Sequence, residues 1–317
     1  MAEYNSVILL GPTAVGKTSI GVNLAYHYGW DIISADSRQV YRGLNLGSGK
    51  DIAEYNVCGK NIPYHLIDIT TLDSEYNVFM FQQDFYRLFN EFASCDKIPF
   101  VVGGTGMYVD SIIRGYDLAP VPPCEERRKQ LESLPIEELD KLLLSYKAEL
   151  HNRSDLEIKE RVIKAILIQE YMASPEYKCN KDKILSRPDV KPLVIGTSLP
   201  RDVLHDNIHR RLLERLDGGM IEEVKRLHDD DGYSWERLEK LGLEYRYVSL
   251  YLEGKIGSRD EMTELLYHAI CQFAKRQETW FRGMERKGVK INWLPYTSDK
   301  EARINEAVKL IDENFVI

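Results

Sequence analysis

Near its start the chain carries residues whose types and spacing suit the holding of phosphate. In "SVILLGPTAVGKTSIGVNLAYHY" an apolar run ends at Leu10, and Gly11, Pro12, Thr13, Ala14, Val15, Gly16, Lys17 and Thr18 then match G-x-x-x-x-G-K-[ST] ahead of a helical pattern. Glycines let consecutive backbone N–H groups turn inward around an anion, Lys17 adds a point charge, and the Thr18 hydroxyl can hold Mg²⁺ or a phosphate oxygen. Asp36 ends the next apolar run, "DIISA", and the polar Ser37, Arg38 and Gln39 follow it. A carboxylate there could hold Mg²⁺, cap a helix, or take a proton from a substrate. Asp68, closing "PYHLID", is a second candidate for the metal role. The stretch "AKRQETWFRGMERKGVK" adds Lys275, Arg276, Arg282, Arg286, Lys287 and Lys290 against only Glu278 and Glu285. A phosphate loop says what is held, not what is done to it. Two chemistries stay open on the motif alone: phosphoryl transfer by a kinase with a basic lid, or a reaction in which the loop holds a pyrophosphate leaving group.

The elements that must position these groups follow from hydrophobic period. "SVILL" and "DIISA" read as buried strands, "PYHLIDI" as a third, and "IPFVVGG" as another strand that runs into glycines and then the helix "MYVDSII". "TSIGVNLAYHY" reads as a helix that Gly29 ends in a left-handed conformation. A helix from about Asn77 sets Val78, Phe81, Phe85, Leu88, Phe89 and Phe92 on one face. Strands alternating with helices predict an α/β fold, a P-loop NTPase-like parallel sheet flanked by helices. After the Pro-rich "LAPVPP" the chain turns charged, helical in period and nearly free of glycine, which predicts a small all-helical insertion over residues 121–189. Residues 1–120 and 190–317 then form the core domain, with "KPLVIGTSL" rejoining the sheet and "KINWLP" as a short late strand.

Composition narrows the class. With 317 residues and 44% hydrophobic content the chain can bury one large core with an insertion or two modest ones. No run approaches the length of a membrane span, and "MAEYNSVILLG" lacks the marks of a secretory signal, so a cytoplasmic protein is expected. Five scattered cysteines without CxxC spacing argue against a disulfide framework or a zinc site. A net charge of −8 argues against a protein that coats nucleic acid by bulk charge, although the stripe from Ala274 to Lys290 is a local exception.

The order and wording of five motifs, "GPTAVGKT", "DSRQVYRG", "PYHLID", "VGGTGMY" and "AKRQETWFR", resemble the signature series of the tRNA dimethylallyltransferases, also called tRNA isopentenyltransferases, over nearly the whole chain. The resemblance implies transfer of a dimethylallyl group from dimethylallyl diphosphate to the exocyclic amine of the adenosine 3′ of the anticodon in tRNA. It implies Mg²⁺ as cofactor, with Thr18 as its ligand and a catalytic residue, and Asp36 as general base. Gly11 to Thr18 and Arg211 then bind the diphosphate. Asp36, Ser37, Arg38, Gln39, Thr105, Arg128, Arg161, Lys275, Arg276, Gln277 and Arg282 contact the anticodon stem-loop, in which the target base must leave its stack. Arg127 is an equal candidate beside Arg128. Trp280 and Phe281 could stack on or pack near RNA, but at helical spacing Phe273, Gln277 and Trp280 share a face and a buried tryptophan is the commoner outcome; His65 is expected to make a structural hydrogen bond. A monomer without membrane contact is expected.

Three departures from the family pattern stand out: Arg38 where an apolar residue is common, Glu244 where glycine usually precedes the tyrosine of "LGLEYRY", and Lys164 where an arginine is expected. No zinc-finger extension of the kind in eukaryotic relatives follows, so a bacterial type is expected. The rival readings are an adenylate isopentenyltransferase acting on free AMP or ATP, a P-loop kinase, and a non-catalytic RNA-binding module, which would not require the phosphate loop.

Overall fold

A computed structural model describes residues 3–122, 124–146, 158–180, 182 and 184–315. It divides into two compact units, Met1–Tyr116 with Arg187–Ile317, and Asp117–Ser186.

In the first unit a six-stranded parallel sheet is built from β1 (Ser6–Leu10), β2 (Ile32–Ser34), β5 (Tyr64–His65), β6 (Phe100–Gly103), β7 (Pro192–Gly196) and β8 (Asn292–Trp293), in the order β5-β2-β6-β1-β7-β8. The short strands β3 (Asn56–Val57) and β4 (Lys60–Asn61) form a separate antiparallel ribbon. All five residues of β1 are buried, which is why "SVILL" reads as a continuous apolar run and not as an alternation. Val7 and Leu9 pack with α1 (Lys17–Tyr28) and α13 (Lys300–Asn314) on one face. Ile8 and Leu10 face the larger core, fed by α2 (Val78–Ser94), α3 (Gly106–Arg114), α8 (Arg201–Asp217), α9 (Met220–Asp229), α10 (Trp235–Glu239), α11 (Leu243–Leu252) and α12 (Arg259–Arg286). Each fully buried aliphatic or aromatic side chain of these layers contributes about 1.5–3 kcal/mol.

Local signals end the elements. Gly29 sits at φ 70° past α1 and donates its N–H to Ala25 O. The Asn77 side chain caps α2 by accepting from Met80 N at 3.1 Å. The strand expected over "PYHLIDI" is cut to Tyr64–His65 because Leu66 and Asp68 turn left-handed, at φ 62° and 55°. Asp68 is therefore no strand-end metal ligand: its carboxylate pairs with the buried Lys50 ammonium. All five cysteines are free, and only Cys271 is even partly buried.

The second unit carries α4 (Glu125–Glu132), α5 (Ile136–Tyr146), α6 (Lys159–Ala173) and α7 (Pro175–Asn180) around a small core of Leu131, Leu139, Leu143, Val162, Ile163 and Ile166. Among the described residues no helix is long and apolar enough to cross a membrane.

Candidate active site

The carboxyl ends of β1, β2 and β6 open on a pocket of about 940 Å³, where an open parallel sheet binds ligands. The chain leaves β1 at Gly11 and enters α1 at Lys17, so the first N–H groups of α1, which no capping side chain satisfies, stand at the loop. Lys17 reaches back to Pro12 O. Distant residues hold the loop from outside. Gln277 accepts from Thr13 N at 2.8 Å and donates to Gly104 O at 2.7 Å, which clamps the phosphate loop to the turn after β6. Arg303 donates to Val15 O at 3.1 Å and to Thr197 Oγ1.

Across the pocket, β2 runs into Ala35 and Asp36. Oδ1 of Asp36 accepts from the backbone N–H of Arg38 at 2.8 Å and of Gln39 at 3.3 Å, folding the polar stretch back on the carboxylate. Thr105 Oγ1 accepts from Ser37 N at 3.1 Å, and Thr105 N donates to Ala35 O at 3.2 Å. This close approach needs glycine at 103, where a Cβ would lie 2.3 Å from Ala35 O. Asp36, which lines the pocket, is thus fixed by its own turn, and Thr105 at the start of α3 holds the residues on either side of it; Oδ2 takes no part in these bonds.

The electrostatics suit an anion. The lining carries ten basic residues, among them Lys17, Arg211, Arg215 and Arg303, against six acidic ones, on a chain that is acidic as a whole. Burial, with help from the Arg211 guanidinium, lowers the Lys17 ammonium to about 7 against the opposing pull of Asp36. Burial and the neighbouring Arg215 likewise lower Arg211, which Asp51 partly restores through a 2.6 Å ion pair. Glu244, half-buried in the wall, is pushed up by burial, with Arg215 opposing.

A model of the IPP transferase family matches residues 39–284. The chain belongs to the IPP transferase family. A Treponema denticola protein named tRNA dimethylallyltransferase 2 is 53% identical, covering 92% of this chain and 96% of its own length. A Parabacteroides distasonis protein named tRNA dimethylallyltransferase 1 is 43% identical over 98% and 99%. The crystal structure of a full-length tRNA isopentenylpyrophosphate transferase from Bacillus halodurans superposes with TM-score 0.67 at 30% identity, covering 98% of each chain. A eukaryotic dimethylallyltransferase acting on tRNA shares the fold, with TM-score 0.75 at 20% identity over 99% of this chain and 79% of its own.

In this IPP transferase the expected site residues fall into three groups. Thr13 to Thr18, Asp36, Ser37, Arg38, Gln39, Thr105, Arg211, Arg276 and Gln277 all line the pocket, whereas Gly11 and Pro12 start the phosphate loop outside that lining. Lys275 and Arg282 are exposed on α12 outside its lining. Arg128 and Arg161 belong to the second unit, where Arg128 pairs with Glu132 and Glu160, and Arg127 with Glu170. Three details go beyond the sequence reading. Gln277 is buried in the pocket wall, and its amide bonds the phosphate loop at Thr13 and the turn after β6 at Gly104. Phe281 is fully buried in the core, while Trp280 stays partly exposed and packs beside Gly106. The Gln39 amide is engaged at both ends, accepting from Ser34 Oγ at 2.9 Å and donating to Gly49 O at 3.1 Å, so an adenine edge meets at most its second N–H and second lone pair. His65 bonds Asp31 at 3.3 Å and lies edge-on to Phe92. Asp51, Arg215, Lys300 and Arg303 line the pocket unforeseen; only the spacing of Arg215, four residues after Arg211, hinted at a shared helix face.

Proposed function

We propose that this IPP transferase moves a dimethylallyl group from dimethylallyl diphosphate to the exocyclic amine of the adenosine 3′ of the anticodon in tRNA, releasing diphosphate. One observation carries the reading: a carboxylate fixed by its own turn, Asp36, shares a pocket with a phosphate loop whose Lys17 feels its charge. A kinase would place a metal-holding acid there; Asp36 instead leads a polar turn suited to a base.

The diphosphate lies against the loop N–H groups, Lys17 and Arg211, which stabilise the charge that develops as the allylic C–O bond breaks and its electron pair passes to the leaving oxygen. The adenine amine supplies the pair that forms the new C–N bond. Its lone pair is delocalised into the ring, so attack proceeds with loss of a proton to Asp36 Oδ2, the oxygen that the Arg38 and Gln39 amides leave uncommitted. Among the described residues no three acids, histidines or cysteines gather to cage a metal. That donor set suits Mg²⁺, which takes one or two protein oxygens and otherwise binds substrate phosphate and water. The Thr18 hydroxyl is the ligand this chain offers, and bound Mg²⁺ supplies charge stabilisation of the leaving diphosphate.

The extruded base enters the pocket beside the Ser37 to Gln39 turn and Thr105, both of which line it, while Arg38, Lys275, Arg276 and Arg282 engage RNA phosphates. The test is incubation with Mg²⁺, dimethylallyl diphosphate and unmodified tRNA, with AMP in parallel, followed by mass spectrometry of the nucleosides. Prenylated adenosine in tRNA is expected. Prenylated AMP without prenylated tRNA overturns the reading.

A further inference from the structure

Two arginines of α8, Arg211 and Arg215, stand four residues apart and share one carboxylate oxygen, Asp51 Oδ2, at 2.6 and 3.4 Å. Like charges at this spacing repel across a helix face, so the pair needs a counter-charge. Asp51 is the carboxylate that pairs with both guanidinium groups at the pocket wall. Arg215 is well enclosed, with its side chain 15% exposed, and its guanidinium lies over Gly49 so closely that a Cβ there would be 2.2 Å from Nη2. Glu244 lines the same wall, and Arg215 is the charge that acts on it most strongly. The loop that presents Asp51 is itself anchored at depth. Glu223 accepts from the N–H groups of Asn45, Leu46 and Gly47 at 3.1, 2.8 and 3.2 Å and from Tyr245 OH at 2.9 Å, and Lys50 donates to Tyr41 O at 2.7 Å.

We propose that Arg215 is a second ligand of the diphosphate leaving group beside Arg211, held at the pocket wall by the carboxylate of Asp51. The assignment rests on the proposed donor chemistry, and pyrophosphate itself serves as the probe that separates the two. Arg215 supplies a charge-assisted contact that forms only when the anion arrives, while Asp51 keeps its fork from swinging into solvent between turnovers.

The experiment measures pyrophosphate binding by calorimetry, and steady-state KM for dimethylallyl diphosphate and for tRNA, in the full chain. Arg215→Met is expected to weaken pyrophosphate binding and raise the donor KM by about tenfold, leaving the tRNA KM unchanged. Arg215→Lys, which keeps the charge but loses the fork, should recover part of both, and it carries the comparison if Arg215→Met does not fold. Asp51→Asn should weaken pyrophosphate binding in the wild-type background and add little in the Arg215→Met background. Wild-type pyrophosphate binding by a folded Arg215→Met or Arg215→Lys protein overturns the ligand assignment, and full additivity with Asp51→Asn overturns the positioning role. If the wild-type protein prenylates neither tRNA nor AMP yet binds pyrophosphate in an Arg215-dependent way, the proposed function fails and this anion site stands.

Discussion

Replacing Gln277 by Leu keeps the volume of a buried side chain and removes both halves of its clamp. Two hydrogen bonds are lost, one accepted from Thr13 N at 2.8 Å and one donated to Gly104 O at 2.7 Å. Each contributes about 0.5–1.5 kcal/mol net, and a buried partner left without water adds about 1–3 kcal/mol. Because the pocket lets water reach part of this region, the total falls near 2–4 kcal/mol, which for a chain of this size lowers Tm by roughly 3–6 °C. The loop is also freed, and if the diphosphate must re-order it at a cost of about 1.4 kcal/mol, donor affinity falls about tenfold. Thermal denaturation and the KM for dimethylallyl diphosphate read the two effects, with the KM for tRNA as control. A Gln277→Leu protein that keeps its Tm and donor KM while losing tRNA affinity would refute the clamp and restore Gln277 to the RNA surface.

Asp36→Ala should cut single-turnover transfer by about 10²–10⁴-fold while tRNA binding stays near wild type, since it removes the proton acceptor and not a phosphate contact; equal losses in rate and binding would defeat the general-base role. Lys17 gives a stability profile with a defined sign: the unfolded chain keeps this proton up to about 10.5 and the folded protein releases it from about 7, so the unfolded state binds more protons in that window and stability rises with pH across it. Tm followed from pH 7 to 10.5 in EDTA should therefore show a rise that Lys17→Met flattens, and parallel curves would disprove the buried ammonium. Phe281→Ala should lose about 3–5 kcal/mol in denaturant unfolding as a fully buried aromatic, whereas Trp280→Ala should stay within about 1 kcal/mol; the reverse order would mean the wrong face of α12 has been taken as buried.

That last pair shows where sequence reasoning runs out. On α12, Phe273, Gln277 and Trp280 obey helical spacing, and so do Ala274, Gln277 and Phe281; both faces carry an aromatic residue, and only packing against α3, α8 and α11 selects the second. Gln277 belongs to either face, and its role is set by Thr13, which no local pattern ties to it. By contrast, the phosphate loop and Asp36 were legible because each is a short segment whose chemistry follows from its own residues and from the strand that ends there. The parallel sheet was legible for the same reason, through apolar runs such as "SVILL". "PYHLIDI" was over-read as a strand because the left-handed Leu66 and Asp68 carry no glycine to announce them. Arg215 and Asp51 escaped notice because a shared ion pair across 164 residues leaves no trace in either neighbourhood.

The two clamps on the phosphate loop also set an order of assembly. Thr13 meets Gln277 across 264 residues, and Val15 meets Arg303 across 288. On a ribosome that adds about 5–20 residues per second, the loop is made first and then waits roughly 13–58 s for its partners. Throughout that interval the nascent chain carries an unclamped anion-binding loop, and the donor site is completed only when α12 and α13 have emerged to close over the first turn of the protein.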